Sequence, residues 1–474
     1  MLTVFCSYIR INILSAKTTI SYSNPARKLR QPHHPNLNTL TMNKILLFVT
    51  LMLGFISSSI MTSCSDDEQS PKTTQQEDKY CLMFYGAGGD EAHDISFFKP
   101  VQYAAEVTED NVALTYMIKY SSEGKNPNHV SYYIGEKGKL VEDESFHTPD
   151  DFSIVDPKNL SDFIKRSCNR FPNRKYILIF LGHGSPFNFR YDLSDEAIAM
   201  TRSTLYDDNK MMSASAMAKG IADAGIHLDA MIANSCLQGS IEHIAEWEGL
   251  ADYLLCSPFT IPDVAYDTSS IVRELENGSS VENALANAAE KAIHAWSVYQ
   301  DKNNELPNYG TVVELVKIND LTPLWNVLAQ TFQLMIDSMD DLNYTVDFPE
   351  FYGTALYQSY LRAYYEKLEI NNKDFFENLR PENTLDLPDF IRYAYMYSGN
   401  ARMAPLLSRL EDVLSDILVV HIQSNGKHDF IFNVMAGDTL FKGDHLSRYR
   451  TCRFDRLTGW ASLNEVLESY HSAN

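Results

Sequence analysis

Between residues 80 and 256, short uninterrupted apolar runs alternate with segments of helical periodicity. Apolar runs of this kind are typical of strands buried on both faces of a parallel sheet. The strands are expected at 80–85, 112–120, 176–181, 228–233 and 251–256. Because strands that alternate with helices are joined by right-handed crossovers, the pattern predicts an α/β fold with a mostly parallel sheet flanked by helices.

Shorter patterns fill the space between these strands. Two segments at 130–135 and 139–143, separated by Glu-Lys-Gly, predict a β-hairpin. Helices are expected from Asp156-Pro157 onward, over 213–224, and from about residue 239 to residue 247.

The pattern changes beyond residue 300, which suggests two regions. Residues 80–300 are expected to form the α/β domain, and residues 301–474 a helix-rich C-terminal extension with a few strands. Helical periodicity in the second region is followed by alternating apolar positions, at 321–339 and 355–368 and then at 417–423 and 429–435.

The N-terminus has the pattern of an export signal. Residues 1–41 are basic without an acidic residue, and we interpret them as a non-native upstream segment ahead of a start at Met42. The apolar stretch at 45–60 is short for a membrane span, and small residues precede Cys64. This arrangement resembles the lipobox of bacterial lipoproteins. Residues 42–63 are therefore expected to be a cleaved signal peptide, and Cys64 the lipidated first residue of the mature protein. An uncleaved membrane anchor is the alternative.

Residues 64–79 are polar and without periodicity, which predicts a flexible tether. The acidic residues directly after Cys64 resemble the surface-export signal of Bacteroides-type lipoproteins. The resemblance implies a lipoprotein anchored in the outer membrane and exposed at the cell surface, since several acyl chains give stable anchoring.

Charge and cysteine usage exclude several classes of protein. The net charge is −22, and because residues 1–63 hold six basic and no acidic residues, the remainder carries −28 (34 basic, 62 acidic). Such a surface argues against nucleic acid and anionic membranes as partners, and it is compatible with cationic substrates. The later cysteines are scattered, which predicts neither a disulfide framework nor a zinc site: Cys81, Cys168, Cys236, Cys256 and Cys452. The oligomeric state is not indicated.

Two residues with catalytic potential follow successive predicted parallel strands. His183 stands between two glycines after one strand, and Cys236 follows the next. A thiol nucleophile needs a nearby base and N–H donors for the oxyanion, which His183 and Gly184 could supply. We expect Cys236 to open a helix, whose N-terminus would favour the thiolate. Taken singly, a buried cysteine is more often structural, and a histidine between glycines is more often a turn residue.

These segments resemble the clostripain family of caspase-like cysteine peptidases. The specific motifs are Gly182-His183-Gly184 and Cys236-Leu237-x-Gly239. Weaker similarity lies at 83–90, 251–258, 387–390 and 449–463. The resemblance implies a caspase-like sandwich and peptide hydrolysis through a thioester acyl-enzyme. Cys236 would attack, His183 would shuttle the proton, and the N–H groups of Gly184 and Cys236 would bind the oxyanion.

The substrate pocket departs from the family pattern. Members usually have Asp two residues before the nucleophile, in a pocket for Arg or Lys, whereas this chain has Asn234. An amide supplies no charge for a guanidinium. Asp263 could replace the carboxylate, or it could be a solvated turn residue. A preference for cleavage after Arg or Lys is therefore an expectation only.

Several relatives are activated by cleavage of a loop in the region of residues 185–210. If the same holds here, Arg190, Arg202 and Lys210 are the candidate cut sites, although basic residues are also ordinary in exposed loops. Family members bind calcium in some cases, but no acidic spacing here predicts a calcium loop, so no metal ligand is assigned. Two alternatives to the peptidase remain: an inactive surface pseudopeptidase that binds peptides, and a lipoprotein that binds glycans or nutrients.

Overall fold

The computed structural model describes residues 78–87, 91–121, 129–184, 205–207, 210–258, 261–262, 265–303, 312–339, 384–423, 431–436, 440–441 and 443–473. All of them belong to one structural unit, Gln75–Asn474. The expectations for residues 1–41, the signal peptide 42–63, Cys64 and nearly all of the tether therefore lie outside the described residues, as do Arg190, Arg202, Asp263 and the helix expected at 355–368. No helix within the described ranges has the length and apolarity needed to cross a membrane.

The described strands fall into one large sheet and two small ribbons. In chain order they are β1 (Tyr80–Ala87), β2 (Val112–Lys119), β3 (Val130–Glu136), β4 (Lys139–Glu142), β5 (Lys175–Leu181), β6 (Tyr206–Asp207), β7 (Lys210–Met211), β8 (Leu228–Asn234), β9 (Ala251–Cys256), β10 (Val312–Lys317), β11 (Thr384–Asp386), β12 (Leu418–Gln423) and β13 (Asn433–Met435).

The described helices are α1 (Glu91–Glu106), α2 (Pro157–Arg170), α3 (Ala214–Ala224), α4 (Ile241–Trp247), α5 (Thr268–Glu276), α6 (Val281–Asn303), α7 (Thr322–Asp337), α8 (Leu387–Ser398), α9 (Ala404–Ile417), α10 (His445–Tyr449), α11 (Arg453–Thr458) and α12 (Trp460–Ala473).

Among the described residues, the large sheet has nine strands in the order β12-β10-β9-β8-β5-β1-β2-β3-β4. The five strands β9, β8, β5, β1 and β2 are parallel to one another, and the strands outside them pair antiparallel. The predicted α/β fold is thus confirmed, as is the hairpin, formed by β3 and β4.

Apolar residues cover both faces of the sheet, which explains why the central strands are uninterrupted apolar runs. Along β5, Leu178 and Phe180 join one buried cluster, and Ile177 and Ile179 join a second. The first cluster includes residues of α2, α3 and α4, and the second includes residues of α1, α5 and α6. Each fully buried side chain of this size contributes about 1.5–3 kcal/mol, so the sheet is a firm support for loops at its edge.

The region beyond residue 300 is helix-rich, as expected, and it also extends the sheet through β10 and β12. Helix α7 packs against α9, α11 and α12, and α11 contacts α4. The strands β11 and β13 pair as a separate antiparallel ribbon. The large sheet contains strands from both sides of residue 300. The domain boundary placed there stays a prediction.

Candidate active site

The parallel pairing of β5 with β8 brings His183 and Cys236 to one edge of the sheet. Leu181 is level with Asn234 in the register, and His183 and Cys236 each lie two residues further along. In parallel α/β sheets, loops beyond the carboxyl ends of the strands carry the chemistry. Both side chains are partly exposed, so both are accessible from this edge.

Gly184 shows how closely the two loops approach. A Cβ atom built on Gly184 would lie 1.7 Å from the carbonyl oxygen of Cys236 and 2.5 Å from its backbone nitrogen. Real Cβ atoms never come so near, so only glycine allows this contact. The glycine after His183 therefore serves to bring the backbone of the histidine loop against the backbone of Cys236.

The segment 235–239 after β8 is a turn, which we call the nucleophile turn. Leu237 has a φ of 62°, a left-handed conformation that costs a bulky residue about 1–2 kcal/mol. Gln238 Nε2 donates to the carbonyl oxygen of Cys236 at 3.2 Å, and the Gly239 N–H donates to Ser257 O at 2.9 Å. The first bond lies within the strained turn, and the second holds the turn to the segment that follows β9.

The expectation that Cys236 opens a helix is wrong. Helix α4 begins at Ile241, and Ser240 is its N-cap, whose Oγ accepts from the His243 N–H at 3.3 Å. The left-handed residue and Gly239 delay the helix by one turn of chain. Cys236 therefore lies in the turn ahead of α4, five residues before the first residue of the helix.

The thiol instead contacts the backbone of Ile261. The Ile261 N–H donates to Cys236 Sγ at 3.3 Å, and Sγ lies 3.7 Å from Ile261 O. The N–H bond favours a thiolate, because a hydrogen bond to the charged form stabilises it, whereas the carbonyl favours the protonated thiol. This contact can therefore support either protonation state of the Cys236 thiol.

Asn234 is buried, and its Oδ1 accepts from the Tyr266 N–H at 3.2 Å. The side chain thus fixes the start of the segment that leads into α5. Its expected contact with substrate stays a prediction, as does the role of Asp263, which lies outside the described residues.

A second histidine, His243, follows the cysteine by seven residues in the sequence and is a poor candidate for the base. It is buried, burial lowers its pKa to about 3, and its Nδ1 is 2.5 Å from Ser240 Oγ. A base with so low a pKa gains too little driving force for proton abstraction near neutral pH. His183 is therefore the better candidate on this edge.

Glu242 is a buried carboxylate in the first turn of α4. Its Oε1 accepts from the Met435 N–H at 2.7 Å and from the Tyr449 hydroxyl at 2.9 Å. Its Oε2 is buried without a hydrogen-bond partner among the described residues, and burial raises its pKa to about 7. Glu242 thus links the helix after the nucleophile turn to the C-terminal region.

The sequence did not point to Gln238, Ile261 or Glu242. Ile261 acts through its backbone, which leaves no side-chain signal. Glu242 bonds to residues about two hundred positions away, which a single sequence does not reveal. Only Gln238, two residues after the cysteine, could have been suspected from its position.

No group of three or more His, Cys, Asp or Glu side chains in the described part of the chain could hold a metal ion. Calcium binding is thus known here only as a property of some family members, and the described residues offer no set of ligands for it.

Comparisons with known proteins bear on the family and the fold of the chain. The sequence profile of the clostripain family matches residues 102–390. Among solved structures, an inactive zymogen C11 protease from Parabacteroides distasonis is 12% identical with a TM-score of 0.56, and covers 81% of this chain and 98% of its own. A secreted C11 cysteine protease from Bacteroides thetaiotaomicron, in complex with an irreversible peptide inhibitor, is 15% identical with a TM-score of 0.53, covering 81% and 99%.

A second structure of a secreted C11 cysteine protease from the same organism, iotapain, is 13% identical with a TM-score of 0.56 and the same coverage. No curated protein matches the chain. At these identities the structures show the fold, and the profile, which spans more than half of the chain, shows the family. The chain therefore belongs to the clostripain family of cysteine peptidases.

Proposed function

We propose that this protein is a secreted cysteine endopeptidase in which Cys236 is the nucleophile and His183 the general acid and base. The observation that carries the proposal is the equal offset of the two residues beyond paired parallel strands, together with the backbone contact at Gly184. This places a thiol, an imidazole and two backbone N–H groups at one edge of the sheet.

The reaction has two halves. The Cys236 thiolate attacks the peptide carbonyl while the N–H groups of Gly184 and Cys236 bind the oxyanion. His183 gives a proton to the leaving amine, the C–N bond breaks and a thioester remains. His183 then takes a proton from water, the hydroxide attacks the thioester, and collapse of the second tetrahedral intermediate releases the acid and the thiolate.

The substrate preference that we propose is for Arg or Lys before the cut. The acidic chain attracts cationic peptides, and Asp263, two residues after the partner of the thiol, is the carboxylate that would pair with the basic side chain. Asn234 supplies no charge and is already bonded to the Tyr266 backbone.

Fluorogenic peptides with Arg, Lys, Gln or Leu before the reporter test both parts of this proposal. We expect turnover of the Arg and Lys peptides at least about tenfold above the Gln peptide, as befits loss of one charge-assisted pair. Asp263→Asn should abolish that ratio and leave Gln-peptide turnover unchanged. No turnover of any peptide, before or after limited trypsin treatment of the 185–210 segment, would favour the pseudopeptidase.

We also propose that the protein is a lipoprotein on the outer face of the outer membrane, anchored through Cys64. The lipobox-like sequence and the acidic residues behind it support this location. Metabolic labelling with an alkyne fatty acid should mark the wild-type protein and not Cys64→Ser, and protease added to intact cells should degrade the wild type. Labelling that persists in Cys64→Ser would overturn the anchor.

A further inference from the structure

The strand β13 contacts two segments near the Cys236 thiol, namely the residue that follows the nucleophile turn and the segment after β9. Asn433, its first residue, forms a backbone bridge with Ser240, directly after the nucleophile turn. The Asn433 side chain is buried, and its Nδ2 donates to Pro258 O at 2.7 Å. One residue thus contacts the end of the nucleophile turn through its backbone and the segment after β9 through its side chain.

Those two segments are the ones that meet at the sulfur atom. The segment after β9 runs from Ser257 and Pro258 to Ile261, whose N–H donates to Cys236 Sγ at 3.3 Å. It also accepts the Gly239 N–H at Ser257 O. Because Pro258 precedes Ile261 by only three residues in the chain, we expect a shift of Pro258 relative to Ser240 to move the Ile261 donor relative to the thiol.

Buried hydrogen bonds fix the position of β13 in the core, so β13 can in turn fix the segments that it contacts. The Met435 N–H donates to Glu242 Oε1 at 2.7 Å, and Trp460 Nε1 donates to Met435 O at 2.8 Å. Two residues before β13, the Ile431 N–H donates to Asp386 Oδ2 at 2.7 Å. Met435 and Trp460 are buried, and Glu242 and Asp386 are buried as well.

The amide side chain of Asn433 is not what a position that only fills the core would favour. Its Oδ1 is buried without a hydrogen-bond partner among the described residues. An unsatisfied buried amide oxygen is costly, and a leucine of similar size would avoid that cost. What leucine lacks is the N–H donor to Pro258 O, so this donor is the feature that the position requires.

We propose that Asn433 is a positioning residue for the catalytic thiol, which sets the distance between Cys236 and the backbone of Ile261. The inference rests on the proposed function of Cys236 as nucleophile. It also gives the C-terminal region a part in catalysis, because Asn433 lies 175 residues beyond Pro258 in the chain.

Asn464 provides a matched control for the test. It is buried, its Nδ2 donates to the carbonyl oxygen of Trp460 at 2.9 Å, and its Oδ1 also has no partner among the described residues. Its bond, however, stays within α12 and contacts neither loop of the site. Asn433→Leu and Asn464→Leu therefore make the same chemical change in similar surroundings, and only the first should affect the thiol.

The experiment measures alkylation of Cys236 by iodoacetamide at pH 7, mapped by mass spectrometry, together with kcat and KM for a cleaved peptide. In the full-length Asn433→Leu variant we expect alkylation of Cys236 and kcat to fall by about tenfold or more, with KM within about threefold of the wild type, because the donor to the thiol is misplaced. Asn464→Leu should match the wild type in all three quantities.

The proposal is overturned if Asn433→Leu alkylates and turns over within twofold of Asn464→Leu, or if both variants lose activity in proportion to a common loss of thermal stability. Should Asn433→Leu not fold, Asn433→Ser, whose hydroxyl does not reach Pro258 O, gives the same comparison with Asn464→Ser. A wild type that hydrolyses no peptide contradicts the peptidase function, while the alkylation rates still decide the role of Asn433.

Discussion

Cys236 and Cys256 are associated with neighbouring parallel strands, and the structure gives them opposite environments. Cys256 is the last residue of β9 and is buried, and burial and then the charge of Glu314 raise its pKa well above the ordinary value. Cys236 lies two residues past the end of β8, is partly exposed and accepts an N–H at its sulfur. The difference follows from position: the Cys236 sulfur lies past the end of its strand, where it is partly exposed and meets a backbone donor, whereas Cys256 stays within the sheet.

The largest expected effect separates the two cysteines by activity. Cys236→Ala should lower kcat by about 10⁴-fold or more, because no other group can form the acyl-enzyme. Cys256→Ala should keep kcat within about threefold of the wild type, since its sulfur contacts no reacting group. Steady-state kinetics on one peptide checks both. Equal losses in the two variants would mean that the comparison is mistaken.

The contact at Gly184 is the next feature that distinguishes Cys236. In Gly184→Ala, the added methyl group would collide with the Cys236 backbone, and displacement of the turn by about 1 Å should cost about 10²-fold in kcat/KM.

Gly220→Ala is the matched control for that change. Its methyl group would lie 2.7 Å from Pro157 O, and the atoms nearest to it belong to α2 and not to the nucleophile turn, so the change should lower the melting temperature and leave kcat/KM near the wild-type value. If both alanine variants retain activity, the close approach of the two loops is not required for catalysis.

A buried glutamate lies near each of the two cysteines, and from their raised pKa values we predict that stability depends on pH. Burial raises the pKa of Glu242, next to the nucleophile turn, and of Glu314, beside Cys256, to about 7 in each case from 4.5. Because the folded state then binds more protons than the unfolded state between pH 4.5 and 7, the free energy of unfolding falls as pH rises through that range.

Each glutamate should contribute up to about 3 kcal/mol to that fall. Glu242→Gln and Glu314→Gln should each flatten the profile of unfolding free energy in urea between pH 4.5 and 7. A slope that is unchanged in Glu242→Gln would show that this carboxylate does not take up a proton on folding.

The smallest effect concerns packing around Cys256. Removal of its sulfur leaves a small cavity in the core, so Cys256→Ala should lower the free energy of unfolding by about 1–2 kcal/mol. Cys236→Ala, at a partly exposed position, should change it by less than about 0.5 kcal/mol. Urea unfolding of the two variants measures this difference, and a larger loss for Cys236→Ala would mean that its side chain supports the fold.

Much of the fold and part of the site follow from the sequence. The central strands were predictable because burial on both faces makes them uninterrupted apolar runs, and His183, Gly184 and Cys236 could be proposed because each follows such a run. The helix predicted from about residue 239 begins at Ile241, with Ser240 as a recognisable N-cap, but Cys236 does not open it, because the left-handed conformation of Leu237 has no sequence signal.

What the sequence could not supply are the contacts between distant segments. Cys236 and Cys256 each come at or just after an apolar run, but the contact of Cys236 with the Ile261 backbone and the burial of Cys256 beside β10 depend on segments that the local sequence does not show. Likewise, the bonds of Asn433 and Glu242 join residues about two hundred positions apart, so local patterns carry no trace of them.

The most direct test of Cys236 as the nucleophile is labelling of the wild-type protein with a peptide acyloxymethyl ketone, followed by mass spectrometric mapping of every cysteine. We predict a single adduct, on Cys236, that accumulates in step with the loss of peptide turnover. Inhibition without an adduct on Cys236, or an adduct on Cys256 instead, would contradict it.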